Sequence, residues 1–346
     1  MKLIANMLGA HGYGPYEVDV ANQQFLPTDQ ATEYHLIPGF VDIHIHGAFG
    51  IDFMSASSED MITLAGKLEE CGYDGFLATT ITASAPDVLA AFARLPEHPA
   101  ILGVHLEGPF ISPKFPGAQP PEWIVSPSSE PSEWDAVLDD PRLRLITMAP
   151  EIPGGHQLIQ RLLARGVIVS MGHTNATFAE ATDAFHAGAT HTTHTYNAMR
   201  PLHHREAGMV GFALSNDKLS TELIYDRHHV CPEAAAILLR SKPDDKVIAV
   251  SDSTQATGLA PGQTVEMWGH PCVVGVGEVR LASNGALAGS AITLLDAFRN
   301  LTEDFGADVA IRACCLNPRR ALMLGKPRSY VLLDSSLSIV DRFYTT

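Results

Sequence analysis

The amino-acid sequence predicts an α/β fold: a (β/α)8 barrel with a small β-rich domain formed by the N- and C-terminal segments. Three observations predict it. Short β-rich runs bounded by glycine or proline recur eight times, stretches of helical periodicity lie between most of them, and polar residues end the runs where a barrel carries its active site. A chain of 346 residues can fold its main part as one such barrel around one core.

The eight runs are Phe40 to His46, Gly75 to Thr80, Ile101 to Glu107, Leu143 to Ala149, Val167 to His173, His191 to Asn197, Leu219 to Asp226 and Lys246 to Asp252. Helix-compatible segments between them include Glu59 to Cys71, Pro86 to Leu95, Gly155 to Ala164, Ala176 to Ala187 and Pro232 to Ser241. Residues 40–324 are therefore assigned to the barrel. Residues 1–39 are β-rich and SYVLLDSSLSIVDRF near the other end alternates like a strand pair, which assigns 1–39 and 325–346 to one small β domain. A further β-rich stretch between Asp252 and Leu294 is long enough to be a functional loop.

Apolar residues make up 46% and charged residues 18%, the balance of a globular chain. The formal charge of −16, from 39 acidic and 23 basic side chains, repels nucleic acid and acidic lipid headgroups, so neither is an expected partner. The opening MKLIANMLGA lacks the apolar core of a signal peptide and reads as a strand, and no apolar run approaches a membrane span. Cys71, Cys231, Cys272, Cys314 and Cys315 show no paired spacing, which fits reduced thiols in a cytoplasmic protein. The vicinal Cys314 and Cys315 lie in an alanine-rich helical stretch and read as packing residues.

His44 and His46 are two apart on an apolar strand, so both face the same way, and at a barrel mouth two imidazoles can share one cation. Glu107 ends the third run in HLEGPF, where an ionised carboxylate is costly unless paired or metal-bound; an arginine partner is the ordinary explanation for one such residue alone. His173 sits in the fifth run and His194 in the sixth, each at the C-terminal edge of a strand with a helix following, and His191 is a competing ligand by spacing. Asp252 ends the eighth run, where a carboxylate facing the mouth can bind metal or accept a proton from the attacking water. A purely structural explanation would have to be repeated for each of these six N/O ligands, whereas a divalent metal site with hydrolytic chemistry accounts for them together.

The motifs PGFVDIHIHG, HLEGPFISPKFPGA, MAPE, GHTNAT, THTYNAM, LHHREAGMVG, SDSTQATG, LAGS and NPRRAL, in this order from Pro38 to about Leu324, resemble the N-acetylglucosamine-6-phosphate deacetylases of the amidohydrolase superfamily. The resemblance implies that Glu107, His173 and His194 hold the principal metal, and that His44, His46 and Asp252 hold a second, with Glu107 bridging. Zinc or iron suits that ligand set. It further implies an amino-sugar phosphate as substrate, a homodimer, Asp252 as the proton carrier, and a phosphate held by the backbone around Asn197 and Ala198, by Arg205 and by His229. Arg227 stands where the family has the glycine of D-G-x-H, Ala207 where it has the proline of R-E-P-G, and Gln119 where it has the histidine that polarises the acetyl carbonyl. Gln119 or His229 is then the expected oxyanion donor, and Gln119 and Arg227 are counted with the substrate-binding residues. The rival functions are a deacetylase of N-acetylgalactosamine 6-phosphate or of another N-acyl amine and, in a different class, a catalytically silent sugar-binding paralogue.

Overall fold

The computed structural model describes residues 2–345. Eight parallel strands, Phe40–Ile45, Tyr73–Thr79, Ile101–Glu107, Leu143–Met148, Ile168–Met171, His191–Thr192, Ser220–Ile224 and Val247–Val250, are hydrogen-bonded in chain order. The ring closes between the eighth strand and the first, where the Asp252 N–H donates to the His44 carbonyl (2.9 Å) and the His46 N–H to that of Ser253 (2.8 Å). This is the TIM-barrel architecture that the alternation predicts.

Val41, Ile43, Leu77, Leu145, Ile224, Ile248 and Val250 form an apolar plug inside the barrel, and a larger core lies between the strands and the outer helices. The helices form because their apolar residues recur at helical spacing: Leu294–Phe305 buries Leu294, Ala297, Phe298 and Leu301 on one stripe, and a Thr293/Asp296 capping box starts it.

Two local departures from regular strands shape the mouth. The pairing of the first and second strands shifts register between Asp42 and Ile45, so one residue is inserted there. Ile43 packs into the inner plug, Ile45 packs outward, and His44 and His46 both look into the mouth. A bulge of this kind re-aims side chains beside an active site. The sixth strand is shorter than its run, ending at Thr192 rather than Asn197, because His194, Tyr196 and Ala198 adopt positive φ (28°, 84° and 48°) and break the ladder.

The two ends of the chain meet in one six-stranded sheet, ordered Ile339–Tyr344, Ser329–Leu333, His35–Pro38, Lys2–Gly9, Gly12–Asp19, Gln24–Pro27. Asp74 on the second barrel strand ties this sheet to the barrel floor. Its carboxylate accepts from Arg319 Nη2 (2.6 Å), Ser329 Oγ (2.6 Å) and the Arg328 N–H (2.8 Å). The stretch after the eighth strand forms a separate four-stranded antiparallel sheet, Thr264–Met267, His270–Val274, Glu278–Leu281 and Leu287–Ser290, leaning on the mouth. Among the described residues no helix is long and apolar enough to cross a membrane.

Removing one member of a buried, hydrogen-bonded charge cluster leaves the others unpaired. Asp74→Ala is therefore expected to lower stability by about 3–5 kcal/mol, read from the denaturant midpoint, while the ligand geometry at the opposite end of the barrel stays intact.

Candidate active site

The residues that the sequence singles out as ligands converge. Glu107 lies at the centre with 2% of its surface exposed. Its Oε1 is 3.2 Å from His173 Nε2, 3.2 Å from His194 Nε2 and 3.3 Å from His44 Nε2, and its Oε2 is 3.3 Å from His46 Nε2. Asp252 Oδ1 lies 3.3 Å from His46 Nε2 and 3.5 Å from His44 Nε2. The donor atoms fall into two sets, His44/His46/Asp252 and Glu107/His173/His194, each within 4.8 Å of one another.

Several observations fit these sets to divalent cations. His173 and His194 present their Nε2 atoms to each other at 3.1 Å, closer than two ring nitrogens sit without a proton or a cation between them. His44 Nε2 is buried without a hydrogen-bond partner. The Nδ1 sides of two rings are turned outward to acceptors, His44 to Glu222 Oε2 (3.2 Å) and His173 to the Phe115 carbonyl (3.0 Å), which aims each Nε2 lone pair at the centre as metal ligation requires. Burial opposes charge on these groups, yet Glu107 and Asp252 lift His44 well above the usual histidine range and His46 to about 9. The imidazoles in return outweigh burial at Glu107 and Asp252 and hold both carboxyls low. His173, His194 and Asp252 have positive φ (46°, 28° and 49°), so the chain is held in uncommon backbone conformations where the donors gather.

Two further barrel histidines stay out of the cluster. His105 is pushed well below its usual range by burial and by His44, and its ring is bonded to Thr147 Oγ1 (2.7 Å). His191 opens the sixth strand rather than following it. Its ring meets Thr190 Oγ1 (2.9 Å), and burial, then Lys246, lowers it to about 4.

The substrate-side residues divide. Asn197, Ala198, His229 and Gln119 line the same cavity as Glu107, His173, His194, His46 and Asp252, and Ile81 and Trp268 also line it. His229 is oriented by Asp226, whose Oδ2 is 2.6 Å from His229 Nδ1. Gln119 is bound at both ends: its carbonyl accepts from the Thr82 N–H (2.7 Å), which turns its amide to donate to Glu107 Oε2 (2.6 Å). It stands as a tether of the central carboxylate more than as a free oxyanion donor. Arg205 is on an exposed loop outside the cavity, 2.8 Å from His204.

Arg227 departs from the sequence expectation. Its φ of +67° accounts for a glycine at this place in the family pattern, and its guanidinium turns outward to Asp304 (2.8 Å) and Glu303 (2.8 Å) instead of into the cavity. Glu222 is the residue that the sequence reasoning missed. Glu222 is an acid in the middle of the buried strand STELI, and unlike Glu107 it ends no strand. Trp268, at a hairpin turn of the four-stranded sheet and edge-on to His46 at 5.3 Å between centroids, carried no sequence signal.

The chain belongs to the amidohydrolase family, whose model matches residues 35–327. Within it the chain belongs with the N-acetylglucosamine-6-phosphate deacetylases. The enzyme of that name from Bacillus subtilis (strain 168) is 41% identical over 279 residues, covering 78% of this chain and 70% of the relative. The N-acetylgalactosamine-6-phosphate deacetylase of Escherichia coli O157:H7 is 36% identical over 324 residues, covering 88% and 85%. The crystal structure of N-acetyl-D-glucosamine-6-phosphate deacetylase from Mycobacterium smegmatis superposes with a TM-score of 0.88 at 29% identity, covering 99% of this chain and 98% of that one.

Because Arg227 points away from the cavity, Arg227→Ala is expected to leave KM for the substrate unchanged while loosening the helix it pairs with. Steady-state kinetics beside a melting curve check both; a raised KM would return Arg227 to the substrate site.

Proposed function

We propose that this chain hydrolyses the N-acetyl group of N-acetylglucosamine 6-phosphate, giving glucosamine 6-phosphate and acetate, as an enzyme of amino-sugar catabolism. The observation that carries it is the double ligand set around Glu107 at the mouth of an amidohydrolase barrel. A sugar-binding paralogue without catalysis would have no need of six converging ligands.

His44, His46 and Asp252 would hold one cation and Glu107, His173 and His194 the other, zinc or iron, with the Glu107 carboxylate within reach of both sets. When bound, such a cation supplies Lewis-acid polarisation of the amide carbonyl and makes the attacking water acidic enough to lose a proton near neutral pH. Asp252 takes that proton and delivers it to the departing amine. Its backbone is fixed on both sides, N–H to the His44 carbonyl (2.9 Å) and carbonyl to the Ser290 N–H (2.7 Å), so the carboxylate is placed for a transfer in each direction. Gln119 holds Glu107 in place. His229, fixed by Asp226, lies across the mouth as a donor to the substrate, and the turn at Asn197 and Ala198 offers polar backbone to the sugar phosphate. Arg205 supplies a guanidinium for the phosphate from its exposed loop, reaching the site of a neighbouring subunit in a cytoplasmic homodimer.

N-acetylgalactosamine 6-phosphate is the second candidate substrate, because the relative named for that activity aligns over more of this chain than the Bacillus enzyme does. Acetate release from N-acetylglucosamine and N-acetylgalactosamine, each with and without 6-phosphate, separates the two. The 6-phospho gluco sugar is expected to give the highest kcat/KM, and no release from any of the four would defeat the proposal. Asp252→Asn is expected to lower kcat by about 10²–10⁴-fold while the Glu107/His173/His194 set still binds its cation; near-normal turnover in the loaded variant would remove Asp252 from proton transfer.

Gln119→Ala is expected to cost about 10–100-fold in activity and to recover in part as the cation concentration is raised, since the loss acts through Glu107. A deficit that excess cation does not touch would instead mean that the amide contacts the substrate.

A further inference from the structure

Glu222 is a fully buried carboxylate, 0% exposed, in the middle of the seventh barrel strand. Strand parity turns Ser220, Glu222 and Ile224 inward, and Ile224 joins the inner plug while Leu223 packs outward. Glu222 is thus set one layer below the mouth, beneath the ligands rather than among them. No arginine or lysine reaches it among the described ion pairs; its contacts are to the ligand histidines themselves. One oxygen, Oε2, accepts twice: from the ring Nδ1 of His44 at 3.2 Å, and from the backbone N–H of His194 at 3.1 Å. The backbone carbonyl of Glu222 accepts the Thr195 N–H at 2.8 Å, so strand and side chain grip the same turn. His44 belongs to one cation set and His194 to the other.

These two bonds do different things. The bond to Nδ1 fixes the rotation of the His44 ring and commits its Nδ1 to carrying hydrogen, which leaves Nε2 free to ligate. The bond to the His194 N–H holds a residue whose φ of 28° is uncommon for a non-glycine, two positions beyond a two-residue strand that could not hold it alone. Placing a carboxylate here without a basic partner is costly, and the place is explained if the carboxylate serves the ligands.

We propose that Glu222 is a positioning residue that couples the two cation sets, orienting His44 and His194 through a single shared oxygen. The inference rests on the two-cation reading of the site. On it, loss of Glu222 weakens both cations together, whereas loss of a ligand such as His46 weakens one set first.

The test uses Glu222→Gln, which keeps an acceptor oxygen but no charge, and Glu222→Leu, which removes the acceptor. Zinc is titrated into metal-free protein against a chromophoric chelator. Both association steps are expected to weaken, by about 10–100-fold for the leucine variant and by less for the glutamine variant, with an unchanged far-UV spectrum. In parallel, proton NMR follows the His44 Nδ1–H resonance, which the bond to Glu222 shields from exchange with or without zinc; it is expected in wild type, shifted in Glu222→Gln and lost in Glu222→Leu. Should Glu222→Leu fail to fold, Glu222→Gln alone decides through the same two measurements. Zinc affinities at the wild-type level together with an unmoved resonance would overturn the proposal, as would weakening of only one step. Wild-type protein that binds no zinc would defeat the two-cation reading, and the resonance would still report whether Glu222 orients His44.

Discussion

The barrel mouth is organised around one costly object, an ionised carboxylate buried among apolar strands. Left unpaired, a buried charge of this kind costs several kcal/mol. Glu107 is met by four imidazole nitrogens within 3.3 Å and by the Gln119 amide at 2.6 Å, and those partners come from the ends of strands one, five and six and from the loop after strand three. For all of them to reach one point the strand ends must be level and the ring closed. The bulge in the first strand and the early end of the sixth are the local adjustments that bring His44, His46 and His194 to the carboxylate.

Those adjustments are made in the backbone. His173, His194 and Asp252 hold positive φ, each just beyond the last regular pair of its strand. Backbone conformations of this kind cost on the order of 1–3 kcal/mol each, so a mouth with several of them needs stability from elsewhere. The inner plug of Val41, Ile43, Leu77, Leu145, Ile248 and Val250 is buried and apolar, and the Asp74 cluster beneath it pairs that carboxylate with Arg319, Arg328 and Ser329. The division follows the logic of the fold, in which one end supplies stability and the other chemistry.

The same division decides what was legible in the sequence. Strand and helix order could be read because each element buries one face, and alternation or helical spacing records that burial directly. The six candidate ligands could be read because a histidine or an acid at the end of an apolar run contradicts its surroundings. The bulge was hidden, since His44 and His46 share a face by spacing whether or not a residue is inserted before them. Arg227 was misplaced because its position was read from a pattern of residue types, while its direction depends on a positive φ and on two acids of a helix more than seventy residues later. Glu222 was not legible because it sits mid-strand, where its purpose depends on two partners far away in sequence.

Charge adds a constraint that the packed barrel cannot meet. A protein of net charge −16 repels an anionic sugar phosphate at long range, and the cavity itself contains two carboxylates, Glu107 and Asp252. Attraction of the proposed substrate therefore has to be local. The segment from Arg200 to Arg205 gathers two arginines and two histidines, but the arginines are not equivalent: Arg200 is engaged with the Asn175 carbonyl (2.7 Å) and with Glu206 (3.5 Å), while among the described residues the Arg205 guanidinium meets only His204. The guanidinium with no acid beside it is the one on the exposed loop. Ligands carried by strands can be rigid because a cation is the same for every substrate, whereas a phosphate must be met, held and released, and a residue on a loop is suited to that. On the proposed function, the barrel holds the candidate cation ligands and the exposed loop carrying Arg205 is left to meet the phosphate.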